Sequence, residues 1–300
     1  MQNSLFSHAN NLVEKGSKKL AKFQFDESIT LLQEAKSIDP TLGNCDFYIE
    51  IAKSCKNAGL SENSSSCEIA EIWNELKAKM RDLGGAPEHY KETWIYFARR
   101  LRELDEFDAQ GALANCKYFI HEGVCTLHLK KYPDAYEILK VAAKHYGDEF
   151  PARYWGYFGD AALAVKEYGK ANNAYLKLLT INPFEIDWAT LQKKKLRSVF
   201  KQLAEDGSIA LAYANLPYFA WREEIIEVPQ GDTFITEFVQ KIDDYADQYD
   251  NLEPTKKAHL FALYAFADQT EPEANANFRA KMKALSPDLF KDYIHVITSR

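Results

Sequence analysis

His121, Cys125 and His128 stand at positions i, i+4 and i+7, a spacing that puts two imidazoles and a thiol on one face of a helix, the donor types of a zinc site. Such a site needs a fourth ligand, and neither an HExxH motif nor a paired CxxC supports one. The trio reads as packing residues with partly exposed histidines, and no metal or cofactor is expected. Carboxylate pairs such as Asp105 with Asp108, or Asp243 with Asp244, lie in acidic runs that read as solvated helix surface. The basic run of Lys193, Lys194, Lys195, Arg197 and Lys201 invites phosphate binding, yet in a net acidic chain it reads first as a helix face turned to water. The cluster Tyr154, Trp155, Tyr157 and Phe158 could stack on a ligand, with Tyr157 expected to face a groove. No GxSxG motif, P-loop or dinucleotide fingerprint is present, and "GGAP" at 84–87 reads as a helix stop followed by a start. Catalysis therefore has no signature here.

The elements that would position these residues are helical. With 46% hydrophobic and 13% aromatic residues and only 10 prolines in 300, the chain can bury a large core and is not disordered as a whole. Its formal charge of -7 lacks the basic excess of a nucleic-acid or anionic-membrane binder and fits a neutral or basic partner. No run approaches the roughly 20 apolar residues of a membrane span, and the N-terminus lacks an apolar core with a cleavage site, so a soluble, cytoplasmic chain is expected. Five cysteines without a CxxC pair read most simply as reduced thiols, with a regulatory disulfide left open.

One spacing recurs three times. From Trp155, the chain places Gly159, Tyr168, Ala171, Tyr175, Leu178 and Pro183 at fixed steps. From Phe119 the same steps reach Gly123, Tyr132, Ala135, Leu139, Ala142 and Gly147, and from Leu12 they reach Gly16, Phe25, Ser28, Leu32, Ala35 and Pro40. An interior helical glycine costs roughly 1 kcal/mol against alanine, so its retention implies a need for smallness. Two antiparallel helices approach to roughly 8–10 Å only where small side chains meet, and Gly159 with Ala171 offers one from each helix. Tyr168 is expected to wedge against the turn, Gly169 to relax it, and Pro183 to stop the second helix.

These residues resemble the tetratricopeptide repeat, a helix-turn-helix unit, over roughly a third of the chain. The resemblance is closest in 152–183, good in 116–147 and weaker in 9–40, where Ser28 replaces the usual alanine. It implies an all-α solenoid of stacked antiparallel hairpins: an N-terminal repeat and following helix in 1–58, an atypical helical insert in 59–115, two repeats in 116–187 and a C-terminal helical region in 188–300. Within the insert, Ser65 with Glu68 signals a helix start, and "PQGD" at 229–232 reads as a turn between helices, a short hairpin of strands being the alternative. Residues 187–207 read as one helix, and 254–287, with Thr270 and Glu273 as a capping box, as a degenerate repeat or cap.

By the same resemblance, a concave groove holding a partner's peptide would show Lys117, Ile120, Val124 and His128 from the second repeat, and Arg153, Gly156, Tyr157 and Asp160 from the third. Gly156 would let a ligand backbone come close, and Lys117 with Arg153 would hold an acidic or carboxylate-bearing segment. The family's lysine and asparagine clamp for a chaperone tail is absent, since Val13 and Ser17 occupy the matching places. The expected function is a non-enzymatic adaptor or scaffold. The alternatives are an enzyme with a site in 188–300, and a protein that assembles with copies of itself.

Overall fold

A computed structural model describes residues 2–79, 87–205, 207–243, 252–270 and 275–299, and among them the chain is all-α, without strands. It divides into two compact units, residues 1–145 and 146–300, so the division falls between the second and third repeats. The first unit holds α1 (Gln2–Ala21), α2 (Phe25–Ile38), α3 (Asn44–Asn57), α4 (Ser66–Lys79), α5 (Pro87–Leu104), α6 (Glu122–His128) and α7 (Tyr132–Tyr146), which ends at the boundary. The second holds α8 (Ala152–Ala164), α9 (Tyr168–Ile181), α10 (Lys194–Glu205), α11 (Ile209–Arg222), α12 (Thr233–Asp243), α13 (Pro254–Thr270), α14 (Asn275–Leu285) and α15 (Pro287–Ser299). Consecutive helices pack on one another. No helix among the described residues is long and apolar enough to cross a membrane.

The three sequence repeats are three hairpins with a common turn. In each, the eleventh residue after the first takes the left-handed conformation: Phe23 (φ 60°), Lys130 (φ 61°) and Lys166 (φ 67°). Its amide donates to the carbonyl three residues back, at Leu20, Leu127 and Leu163, and the next amide donates five back, to Lys19, Thr126 and Ala162. This is the pattern that caps the orphan carbonyls of a helix end. The turn needs no glycine, and Gly169 lies inside α9 with open space around it, so Lys166 rather than Gly169 shapes that turn. Tyr168 is 65% exposed and does not wedge the hairpin.

The repeat glycine has the role its spacing suggests. A Cβ on Gly16 would lie 2.8 Å from Leu32, one on Gly123 2.8 Å from Leu139, and one on Gly159 3.1 Å from the Tyr175 ring. In all three the large residue twenty places after the repeat start fills the room that glycine leaves. Ser28, which departs from alanine, is fully buried and donates from Oγ to the Gly16 carbonyl at 2.9 Å, so the crossing of α1 and α2 gains a satisfied hydrogen bond. Pro183 acts as expected: Asn182 is extended (φ -162°) and closes α9.

In the first unit α5 is the common partner. Trp94 stacks on Trp73 of α4 with ring centroids 5.8 Å apart, Phe97 meets Phe23 of the first hairpin turn at 5.3 Å, and Tyr48 of α3 donates to Glu92. Trp73 also meets His128 of α6 at 5.3 Å. The insert thus shares one core with the repeats on either side of it. The Ser65 and Glu68 capping box forms, with the Ser65 amide 2.8 Å from Oε2 of Glu68. Cys67 and Cys116 are joined in a disulfide, which corrects the expectation of reduced thiols, while Cys45, Cys55 and Cys125 are buried and free.

In the second unit α13 carries buried residues on every side, from Phe261 through Asp268 without a break, which marks a central helix rather than a cap. Asp268 at its end accepts two hydrogen bonds from Arg279 Nε of α14, both at 3.1 Å, and one from Tyr293 of α15. Thr270 is the last residue of α13 and back-bonds the Ala267 carbonyl, and its expected capping partner Glu273 lies outside the described residues. Residues 223–232 join α11 to α12 without strands, as the helix-turn-helix reading expects, and Asp232 caps α12 through the Ile235 amide at 3.2 Å.

Two consequences are testable by chemical denaturation. Gly159→Leu should overpack the α8 and α9 crossing and cost on the order of 1–3 kcal/mol, whereas Gly169→Leu should change stability by less than about 0.5 kcal/mol. Replacing both Cys67 and Cys116 by serine opens a link spanning 49 residues and should cost roughly 2–4 kcal/mol.

Candidate functional site

Within each unit, most of the expected groove residues are buried or held by local contacts. Residues 116–121 precede α6 instead of belonging to it, because their backbone is committed elsewhere: the Leu113 amide bonds the Ile120 carbonyl at 2.9 Å, and the Glu122 amide bonds the Gly111 carbonyl at 2.7 Å, around isolated antiparallel bridges. His121 then caps α6, its Nδ1 accepting from the Gly123 amide. Lys117 and Ile120 therefore cannot share a helical face with Val124 and His128. Ile120, Val124 and His128 are buried, and Lys117 is exposed and pairs with Glu71 at 3.2 Å. Arg153 is half-buried, its amide 3.0 Å from Oε2 of Glu185 and its Nε 3.4 Å from the Glu185 carbonyl. Gly156 is filled by Leu178, whose Cδ2 would lie 3.1 Å from an added Cβ, so its smallness serves packing rather than a ligand. Tyr157 and Asp160, each 1% exposed, belong to the interior.

What Arg153, Tyr157 and Asp160 build instead is a buried polar network that pins the irregular segment 186–193. Asp160 accepts from Tyr175 Oη at 2.5 Å and from the Gln192 amide at 2.8 Å. Tyr157 donates to Asp187 at 2.7 Å, and Asp187 also receives the Ala189 amide at 3.0 Å. These bonds turn the chain at 187–191, which is why the predicted helix begins only at Lys194. Burial pushes the Asp160 carboxyl up to about 7; the Tyr175, Gln192 and Thr190 donors oppose that rise, and the neighbouring Asp187 charge adds to it. A buried carboxyl with a raised pKa often marks catalysis, but here its neighbours are donors that hold backbone in place.

The metal-like trio is likewise employed. His121 Nε2 is 2.8 Å from the Gln110 carbonyl, which with Nδ1 as acceptor makes the ring neutral, and burial lowers its pKa. The Cys125 thiol is buried and its pKa is pushed up to about 12 by desolvation. No group of three His, Cys, Asp or Glu side chains among the described residues is placed to hold a metal ion.

An open feature lies elsewhere in the first unit. A cleft of about 460 Å³ runs beside α7, floored by Ile138 and Ala142 and bordered by His121, Glu122 and Glu137. Val141 lines it at 66% exposure. The charged rim is already partnered, Glu122 with Arg102 and Glu137 with Lys140 at 2.7 Å, so the cleft offers mainly apolar contact. The repeat spacing does not point to it, since Ile138 and Val141 lie off the repeat positions. The signal was Val141, an apolar residue off the repeat positions. No protein-family model matches the chain, and no curated protein or solved structure matches it either.

The network has a pH signature. The Asp160 pKa is raised in the folded protein, so its contribution is fully present below about pH 4 and is lost as pH rises through about 7, a loss on the order of a few kcal/mol. Denaturation midpoints followed from pH 4 to 8 should fall less steeply with pH in Asp160→Asn than in the unaltered chain. Comparing the two cancels the opposite contribution of His121 and His259, whose lowered pKa values destabilise the fold on acidification.

Proposed function

We propose that the chain is a protein-interaction module that receives a polypeptide segment of a partner on its helical surface. The observation that carries this reading is Val141, an apolar side chain left 66% exposed in a cleft with an apolar floor and a rim whose carboxylates are already paired. His145 and Gln110 also line the cleft, but its apolar floor offers the larger contact, to an apolar side chain of a docking segment. The common turn of the three hairpins and the likeness of their spacing to tetratricopeptide repeats support the same reading, since such hairpins ordinarily present surfaces to peptides. Lys117 pairs with the Glu71 carboxylate and the Arg153 guanidinium donates to the Glu185 carbonyl, so each cation has a partner in its own unit. A cytoplasmic setting is the reading of the sequence, and the Cys67–Cys116 bridge weighs against it because cytosolic thiols are ordinarily kept reduced.

Selection of binders from a displayed random-peptide library tests the proposal. Selected peptides should carry an apolar anchor and should bind Val141→Asp roughly tenfold or more weakly, the equivalent of about 1.4 kcal/mol of lost apolar contact. Peptides that bind Val141→Asp as well as the unaltered chain, or an absence of selectable binders, would remove the cleft as the docking site.

A further inference from the structure

We propose that the Cys67–Cys116 disulfide is a reversible redox site, opened by a dithiol and closed by a small disulfide, and that it clasps the segment 107–121 to the start of α4. Opening the clasp loosens the wall of the cleft beside α7, a consequence that, unlike the clasp itself, rests on the docking reading above.

Of the five cysteines only this pair is suited to exchange. Cys45, Cys55 and Cys125 are buried, and desolvation raises the Cys45 thiol and pushes those of Cys55 and Cys125 up to about 12. The thiolate is the species that attacks a disulfide, so these three neither open the bridge nor scramble it. Cys67 and Cys116 are only half-buried, and their sulfurs lie 3.6 and 3.5 Å from the carbonyl oxygen of Ala114, itself an exposed residue. A thiolate of the dithiol attacks one of these sulfurs, the bond between Cys67 and Cys116 breaks, and a mixed disulfide forms. The second thiol of the reductant then displaces that cysteine and leaves as a cyclic disulfide. Two electrons and two protons have passed to the pair, which ends as two thiols, and the reverse steps close it again.

The clasped segment has a buried base and an exposed tip. At the base, Ala112, Leu113, Ile120 and His121 are buried, and the Leu113 and Glu122 amides bond across the two bridges. At the tip, Ala114, Asn115 and Lys117 are exposed, and Asn115 takes the left-handed conformation at φ 57°. Besides the disulfide, the tip meets α4 through Lys117 and Glu71, an ion pair 67% and 43% exposed, of the kind that contributes little. Glu106, just before the segment, accepts the Ser66 amide at 3.1 Å, which leaves the start of α4 capped when the bridge opens.

The base of the segment is also the wall of the cleft. Ala109, Gln110 and His121 line it together with Ile138 and Val141. Ile120, whose carbonyl receives the Leu113 amide, adjoins His121, whose Nε2 lies 2.8 Å from the Gln110 carbonyl. Freeing the tip therefore frays the bonds next to the contact that shapes the wall, a local opening rather than a global one. The aromatic packing of Trp73, Trp94 and Phe97 needs no disulfide and keeps the unit folded.

The test uses the full chain in buffers of graded reduced and oxidised dithiothreitol. Alkylation and mass spectrometry should find Cys67 and Cys116 reduced together and reversibly, with Cys45, Cys55 and Cys125 modified only after denaturation. Hydrogen exchange of the 113–122 amides should quicken at least tenfold on reduction while the α1 and α2 amides hold their rates, and Cys67→Ser Cys116→Ser should match the reduced chain without reductant. Peptides selected against the cleft should bind the reduced chain at least tenfold more weakly. Reduction only on unfolding, unchanged exchange at 113–122, or faster exchange throughout residues 1–145 would overturn the clasp, the last by showing a bridge the whole unit needs. Quickened exchange with unchanged peptide binding would overturn the control of the cleft alone. If no peptide can be selected, the docking reading fails and the exchange result still decides the clasp.

Discussion

Because Gly159 has no side chain, the ring of Tyr175 can lie across α8, with ring atoms 3.1 Å from where a Cβ would stand. That approach delivers the tyrosine hydroxyl to Asp160, and the same Asp160 oxygen receives the Gln192 amide. A carboxylate this deeply buried is costly unless its lone pairs are used, so the network and the close crossing require each other. The segment they hold carries Trp188, and with it the bond to Tyr213 of α11. A missing methyl group in one helix thus governs the course of the chain at 187–191.

The same economy operates in the first unit. Gly16 and Gly123 admit Leu32 and Leu139, each hairpin turn caps its own helix, and the insert closes onto the repeats through Trp73, Trp94 and His128. Polar groups that look chemically able in the sequence are consumed in this work: His121 as a helix cap, Asp160 as a backbone anchor, Asp268 as the tie between three helices. Among the described residues the large apolar side chains left exposed are Val141 beside α7, Tyr168, Phe184 and Ile209.

Local patterns carried far in the sequence. The helical periodicity, the Ser65 and Glu68 cap, the stop at Pro183 and the three-fold spacing of glycine and large residue were legible because each depends on neighbours within one hairpin. The turn geometry was not, since a left-handed lysine or phenylalanine leaves no compositional mark as glycine does. The site residues were the least legible. Lys117 and Ile120 fit a helical spacing, but bridges to residues 111–113 end that helix early, and Gly156 and Tyr157 could be read as groove or core from spacing alone.

The sequence by itself therefore determined an all-helical chain with three repeated hairpins and the reason for their glycines, because those are short-range consequences of side-chain size and backbone capping. Only the tertiary structure decided that Cys67 meets Cys116 and that α13 lies at the centre of its unit. Those facts rest on which residues distant in the chain come together, and burial or exposure of a side chain is a property of that assembly, not of the residue.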